Sequence, residues 1–342
     1  MVPLGGANQP LLHGGDLAAA RRLFPDAPEP FLDLSTGINP NPYPLPVLPA
    51  EIFARLPDSA ALEQLAAVAA AAYGAPSAGY VVPAPGTQIL LPLVCGLIPP
   101  GLAAILTPTY SEHAPAAVLA GHAVAELRDI AAVGNADLVL VTNPNNPDGR
   151  LLAKADLLAL ARTLKARGGL LAVDEAFMDV APPGASLASE VARGNIVVLR
   201  SFGKFFGLAG IRLGFALATP PLAARLAALL GPWAVSAPAL AVGTKALADG
   251  DWIENSRRAL ADAAARLDTI LCKAGLHVVG GTPLFRLAQT HAAGELFHHL
   301  GRAGIFSRRF PQQPTWLRFG LPAGEPQWQR LQMAMAEFRD SR

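Results

Sequence analysis

From Gln64 to Ser111 the chain carries no charged side chain. With a positive mean hydropathy, a stretch this long without charge makes a membrane the first alternative to exclude. Pro76, Pro83, Pro85, Pro92, Pro99, Pro100 and Pro108 interrupt it, so it holds no clean apolar run of the ~20 residues a spanning helix needs. No membrane partner is expected, and the stretch reads as buried core. A hydrophobic fraction of 52% against 15% charged residues excludes a disordered chain. The mean hydropathy of +0.34 agrees.

The 342 residues suit one large domain and a smaller one. Lys plus Arg number 27 and Asp plus Glu 26, with no long basic block, so nucleic acid is not an expected partner. Cys95 and Cys272 lie far apart with no metal-ligand spacing, which argues against a disulfide framework or a metal site and fits a reducing cytoplasm. The opening MVPLGGANQP lacks a basic segment followed by an apolar one, so no secretory signal is expected.

Short apolar runs alternate with amphipathic segments through the middle of the chain, the pattern of an α/β fold with a mostly parallel sheet covered by helices. The pattern predicts strands at Ala103–Leu106, Val124–Leu127, Asp137–Thr142, Gly169–Val173, Ile196–Arg200 and Leu213–Ala218. It predicts helices at Ser59–Tyr73, with Leu62, Leu65, Ala69 and Tyr73 on one face, and at Ala155–Arg167, each stopped by a glycine. Beyond Leu240 the pattern becomes a long helix over Asp251–Ala274, strands at His277–Val279, Leu284–Leu287, Ile305–Phe310 and Trp316–Phe319, and a last helix near Gln327–Arg339. The expected organisation is an N-terminal segment 1–44 packed on the small lobe and active site, a large cofactor-binding domain 45–245 and a small domain 246–342.

The chemistry centres on Lys204, one of five lysines, set among glycines and aromatics just past an apolar strand. Burial there favours the neutral amine that Schiff-base chemistry needs. Alone, such a lysine would be read as a surface residue opening a helix. Ser201 and Arg212 change that reading, because a hydroxyl and a fixed cation suit a phosphate group. Asp174, at the end of Leu170–Val173, is placed to point into the ligand crevice of an open α/β sheet. A buried Asp near such a lysine has a specific use with pyridoxal phosphate (PLP), whose ring nitrogen must stay protonated to draw electrons. Asn143–Gly149 is turn chemistry by itself, although an Asn amide at a strand end can donate to a ring oxygen. Gly86, Thr87 and Gln88 lie where backbone N–H groups and a hydroxyl can cradle a phosphate.

The ordered set Gly86, Thr87, Gln88, Tyr110, Asn146, Asp174, Ser201, Lys204 and Arg212 closely resembles the class I/II aminotransferase family of fold type I PLP enzymes. The resemblance spans most of the chain. It implies a large domain with a mostly parallel seven-stranded sheet sandwiched by helices, a smaller α/β C-terminal domain, PLP as cofactor and a homodimer. It implies that Lys204 bonds the cofactor aldehyde and Asp174 pairs with the ring nitrogen. Asn146 contacts the ring oxygen, Tyr110 stacks on the ring, and Ser201, Arg212 and the Gly86–Gln88 loop hold the phosphate. Arg318 clamps the substrate carboxylate by the same likeness.

Two branches of the family resemble the chain most, one decarboxylating a phosphorylated amino acid for cobalamin synthesis and one transaminating a phosphorylated amino alcohol. His13-Gly14-Gly15-Asp16, Leu32–Pro40, Phe177 and Gly231–Ser236 are similar to the first. The substrate is then a small phosphorylated amino acid, with His13, Gly14, Gly37, Asn39, Arg308 and Arg318 as its binding residues. Two departures stand out. Leu56 occupies the place of a tyrosine that reaches the neighbouring subunit's cofactor phosphate in many members, and Asp148 replaces the threonine usual in the Asn143–Gly149 motif. A ligand-sensing regulator and a silent scaffold are the non-enzymatic alternatives on this fold; the regulator would add a helix-turn-helix domain.

Overall fold

In a computed structural model that describes residues 13–341, the chain divides into two compact units, residues 41–259 and residues 13–40 with 260–341. The opening residues 1–12, including the stretch read for a secretory signal, lie outside the described residues.

The larger unit is built on seven strands: β1 (Val81–Ala84), β2 (Leu102–Leu106), β3 (Ala123–Leu127), β4 (Leu138–Thr142), β5 (Leu170–Asp174), β6 (Ile196–Ser201) and β7 (Gly214–Leu217). Their order is β1-β7-β6-β5-β4-β2-β3, and only β7 runs antiparallel to its neighbours. Every residue of β4, β5 and β6 is buried, as expected of central strands covered on both faces. Leu138, Leu140, Leu170, Ala172, Val197 and Leu199 share a core with Leu90, Leu91 and Val94 from the charge-free stretch.

All six strands expected in this unit form, and β1 is a seventh that the periodicity did not reveal. Pro83 hid it by interrupting the apolar run. The structure tolerates this proline because β1 is an edge strand, whose outer side needs no ladder donor. The helix Ser59–Tyr73 has the expected bounds: Asp58 accepts from Ala60 N at its start, and Gly74 ends it at φ 76°. Leu65, Ala69 and Tyr73 are buried, whereas Leu62, assigned to the same face, is 39% exposed. The second expected helix spans Lys154–Lys165.

In the smaller unit a four-stranded antiparallel sheet runs in the order Arg308–Arg309, Trp316–Gly320, Phe285–Gln289, His277–Thr282. Helices Gly250–Lys273, Ala293–Arg302 and Gly324–Asp340 accompany it, the first beginning in the larger unit. The single strand expected over Ile305–Phe310 is two short ones. Ile305–Phe306 pairs with Leu32–Asp33, and Arg308–Arg309 pairs with Trp316–Gly320. The break falls at Ser307 because the chain changes partner there. The N-terminal segment is thereby tied into this unit, and Gly320 N donates to Leu34 O to continue the connection. No helix among the described residues is long and apolar enough to cross a membrane.

Leu138, fully buried in β4, tests the packing of the large core. Leu138→Ala is expected to lower unfolding stability by about 2–5 kcal/mol, measured by urea denaturation.

Candidate active site

Thr142 pairs with Asp174, and Asp174 with Leu199, so β4 and β5 end level while β6 runs on to Ser201. Asp174 is 7% exposed. Its Oδ1 accepts from Ala176 N at 3.1 Å, and its Oδ2 lies 3.1 Å from Nε2 of the buried His113. An ionised carboxylate only accepts, so this ring nitrogen is assigned the hydrogen. The His113 ring meets Tyr110 edge to face at 5.7 Å, and Tyr110 Oη donates to Gln88 Oε1 at 2.9 Å. Asp174, His113, Tyr110 and Gln88 thus form one connected set. His113 is the member that sequence reasoning missed. Its only local signal is its position three residues after Tyr110, and its partner is 61 residues away.

β6 ends at Ser201 and passes directly into the short helix Phe202–Phe205, which carries Lys204. A side chain at Gly203 would place its Cβ 2.7 Å from Ala209 Cα, so only glycine lets this helix rest on the following turn. Phe202 stacks on Phe206 at 4.4 Å, and Phe206 on Trp252 at 5.5 Å. This aromatic block seats the helix. Lys204 is half-buried, with Nζ 5.9 Å from the centre of the Phe177 ring.

A third group converges beside them. Gly214 of β7 pairs with Ser201 on one side and Ala84 on the other. A Cβ on Gly214 would stand 2.8 Å from Thr87 N, and one on Gly86 would stand 2.6 Å from Arg212 Nη2. Ser201, Gly86, Thr87 and Arg212 are therefore brought together by close backbone approaches. Arg212 itself has φ 53°, a strained value for a residue with a side chain. Its exposed guanidinium donates to Ala209 O at 3.2 Å. The next helix begins at Leu90, so loop N–H groups rather than a helix terminus face this corner. Hydroxyl, backbone amides and guanidinium are the donor set a phosphate dianion requires. With a buried carboxylate and an amine in the same unit, these residues fit PLP.

The loop after β4 sorts its asparagines. Asn143 Oδ1 accepts from Leu152 N at 2.8 Å, and Asn145 Nδ2 donates to Pro108 O at 2.8 Å and Asp148 Oδ1 at 2.7 Å. Asp148 also accepts from Arg150 N at 3.0 Å. The unusual Asp148 thus closes the turn in place of a threonine. Asn143 and Asn145 are buried in this framework, and Asn146 is half-buried beside it.

The smaller unit sets two arginines on facing strands. Arg308 and Arg318 are directly opposite each other on antiparallel strands, an arrangement that like charges disfavour. Arg318 is buried and donates to Ser35 O at 2.8 Å. Burial, and then the charge of Arg308, pulls it down to about 9 against the opposing pull of Asp33. Ser307 Oγ is buried without a hydrogen bond among the described residues. The strand that carries Arg318 is interior to the sheet. Arg309 points outward over Phe297.

The two N-terminal motifs meet in the same unit. Gly15 N donates to Ser35 Oγ at 2.8 Å, and a Cβ on Gly14 would lie 2.3 Å from Ser35 O. His13 precedes this contact, and Gly37 and Asn39 follow it as buried residues.

The aminotransferase class I and II family matches residues 50–330. A threonine-phosphate decarboxylase of Sinorhizobium sp. is 45% identical over 329 residues, 96% of this chain and 98% of the relative. One from Pseudomonas aeruginosa is 43% identical over 333 residues, again covering 96% and 98%. The crystal structure of histidinol-phosphate aminotransferase from Sinorhizobium meliloti in complex with pyridoxal-5'-phosphate superposes with a TM-score of 0.80 at 21% identity, over 99% of both chains.

Gly86 tests the phosphate corner. Gly86→Ala, strained at φ 87° and crowding Arg212, is expected to weaken PLP binding about tenfold, the scale of one charge-assisted hydrogen bond. Equilibrium dialysis against PLP reads the affinity, and far-ultraviolet circular dichroism is expected to stay unchanged.

Proposed function

The chain belongs to the aminotransferase class I and II family, and we propose that it is a PLP-dependent carboxy-lyase. It decarboxylates L-threonine O-3-phosphate to (R)-1-amino-2-propanol O-2-phosphate for cobalamin biosynthesis. The relatives matched along nearly their whole length are named threonine-phosphate decarboxylase. The structural observation that carries the reading is the facing pair Arg308 and Arg318. A small substrate with both a carboxylate and a phosphate offers two anionic groups to two guanidiniums, and their mutual repulsion becomes attraction to the ligand.

PLP, bonded through its aldehyde to an amine, draws electrons from the Cα of an amino acid. The protein's own task is to hold and orient. Ser201, Arg212 and the Gly86–Gln88 loop would hold the cofactor phosphate, Tyr110 would lie over the ring, and Asn146 would donate to the ring oxygen. Asp174 would keep the ring nitrogen protonated, and its hydrogen bonds with His113 and Ala176 hold that carboxylate in one orientation. Arg318 grips the carboxylate and Arg308 the phosphate, with His13, Gly14, Gly37 and Asn39 completing the substrate contacts. The placement of these contacts would decide which Cα bond breaks, and the proposed reaction requires it to be the bond to the carboxylate. The Cα–carboxylate bond breaks as CO2 leaves, and Lys204 Nζ would deliver to Cα the proton that takes the carboxylate's place.

The same reading makes the enzyme a cytoplasmic homodimer. Leu45, Val47, Phe53 and Leu56 are exposed apolar side chains within one short segment, a face that a second copy would cover.

Purified protein mixed with threonine phosphate is expected to release CO2 without any 2-oxoacid, and Lys204→Ala to release none. Strict dependence on 2-oxoglutarate would overturn the reading. Arg318 also sets a pH dependence. Its folded value lies below that of an ordinary arginine, so substrate affinity is full below about 9 and lost as pH rises through it. KM is accordingly expected to climb between pH 8 and pH 10 (about a decade either side of that value), measured by CO2 release.

A further inference from the structure

Behind the cofactor residues lies a charge cluster that the proposed mechanism does not use. Arg200, 4% exposed, precedes Ser201 on β6. Its Nη1 donates to Glu175 Oε2 at 3.2 Å and its Nη2 to Asp179 Oδ1 at 2.5 Å. Its guanidinium lies 4.3 Å from the centre of the Tyr73 ring. Glu175 is fully buried and also accepts from Ser186 Oγ at 2.6 Å and Leu187 N at 2.7 Å. Burial opposes the charge on Arg200, but Asp179 and Glu175 outweigh it and hold the guanidinium above its usual range. Arg257 Nε, donating to Asp179 O at 2.7 Å, pins the far side.

We propose that Arg200 is a positioning residue that sets Asp174, Phe177 and Lys204 relative to one another; this rests on the PLP reading above. Three placements support it. The β5–β6 ladder ends at the Asp174–Leu199 pair, and the Arg200–Glu175 bridge lies one residue beyond, where Glu175 N to Leu199 O is the continuing backbone bond. Successive strand residues face opposite ways, so holding Glu175 on one side aims Asp174 to the other. Glu175 and Asp179 bracket the turn carrying Phe177, whose ring faces Lys204 Nζ, and one guanidinium grips both ends of that turn. A buried ion cluster is no general source of stability, since well-packed apolar side chains often do as well. What the planar fork adds is fixed geometry, which the point charge of a lysine does not reproduce.

The test compares Arg200→Lys, Glu175→Gln and Ser186→Ala in the PLP-loaded enzyme with threonine phosphate. Readouts are kcat, KM, the pH midpoint of the bound-cofactor absorbance and the melting temperature without cofactor. For the Lys and Gln variants kcat is expected to fall about 10- to 100-fold, the scale of a small misplacement of reacting groups. KM is expected to stay near wild type, and the absorbance midpoint to move. Ser186→Ala, which removes one hydroxyl, is expected to shift the same two readouts less, and it decides the question if the others fail to fold. Folded, loaded variants with wild-type kcat and midpoint would overturn the positioning role while leaving the PLP reading intact. A wild-type protein with no bound-cofactor absorbance would overturn both.

Discussion

The register of β4, β5 and β6 near their carboxyl ends is the constraint on which the candidate cofactor site depends. Backbone hydrogen bonds between parallel strands place Thr142, Asp174 and Leu199 side by side. From that line Asp174 turns toward His113, while β6 continues through Ser201 to Lys204. A slip of one residue in either pairing would send Asp174 to the opposite face of the sheet. The register is protected because all three strands are buried along their whole length, so any slip would expose apolar surface or bury an unpaired polar group.

Around this apolar frame the larger unit pairs its buried charges with opposite ones. Asp174 is held by His113, and Arg200 by Glu175 and Asp179. Arg308 and Arg318 are different, since the strand pairing sets like charges opposite each other and burial depresses Arg318. The two cases express the same electrostatics with opposite outcomes. A cluster of opposite charges stiffens its surroundings, whereas an arrangement of like charge is suited to receive an anion.

Much of the sheet is legible in the sequence because its central strands are continuous apolar runs bounded by turn residues. The helix Ser59–Tyr73 is legible to its last residue, since Asp58 and Gly74 signal both ends. β1 is not, because the proline that an edge position permits also breaks the periodicity. The split at Ser307 is equally hidden: a run of residues with strand character does not say that half of it will pair with the N-terminus. The motifs carrying Lys204, Asp174, Ser201, Arg212 and Gly86 stand out locally through glycines and strand ends. His113 and Arg200 do not, because their partners come from other elements.

Residue order alone determined the α/β class, the family and the types of side chain available for its chemistry, because periodicity and motif spacing are local properties of a chain. Tertiary structure decided which of those side chains meet. Only folding put His113 on Asp174, Gly86 against Arg212, Arg200 between two carboxylates, and Arg308 opposite Arg318. The physical reason is that each contact is set by strand register and close backbone approach between segments distant in the chain, which no local pattern encodes.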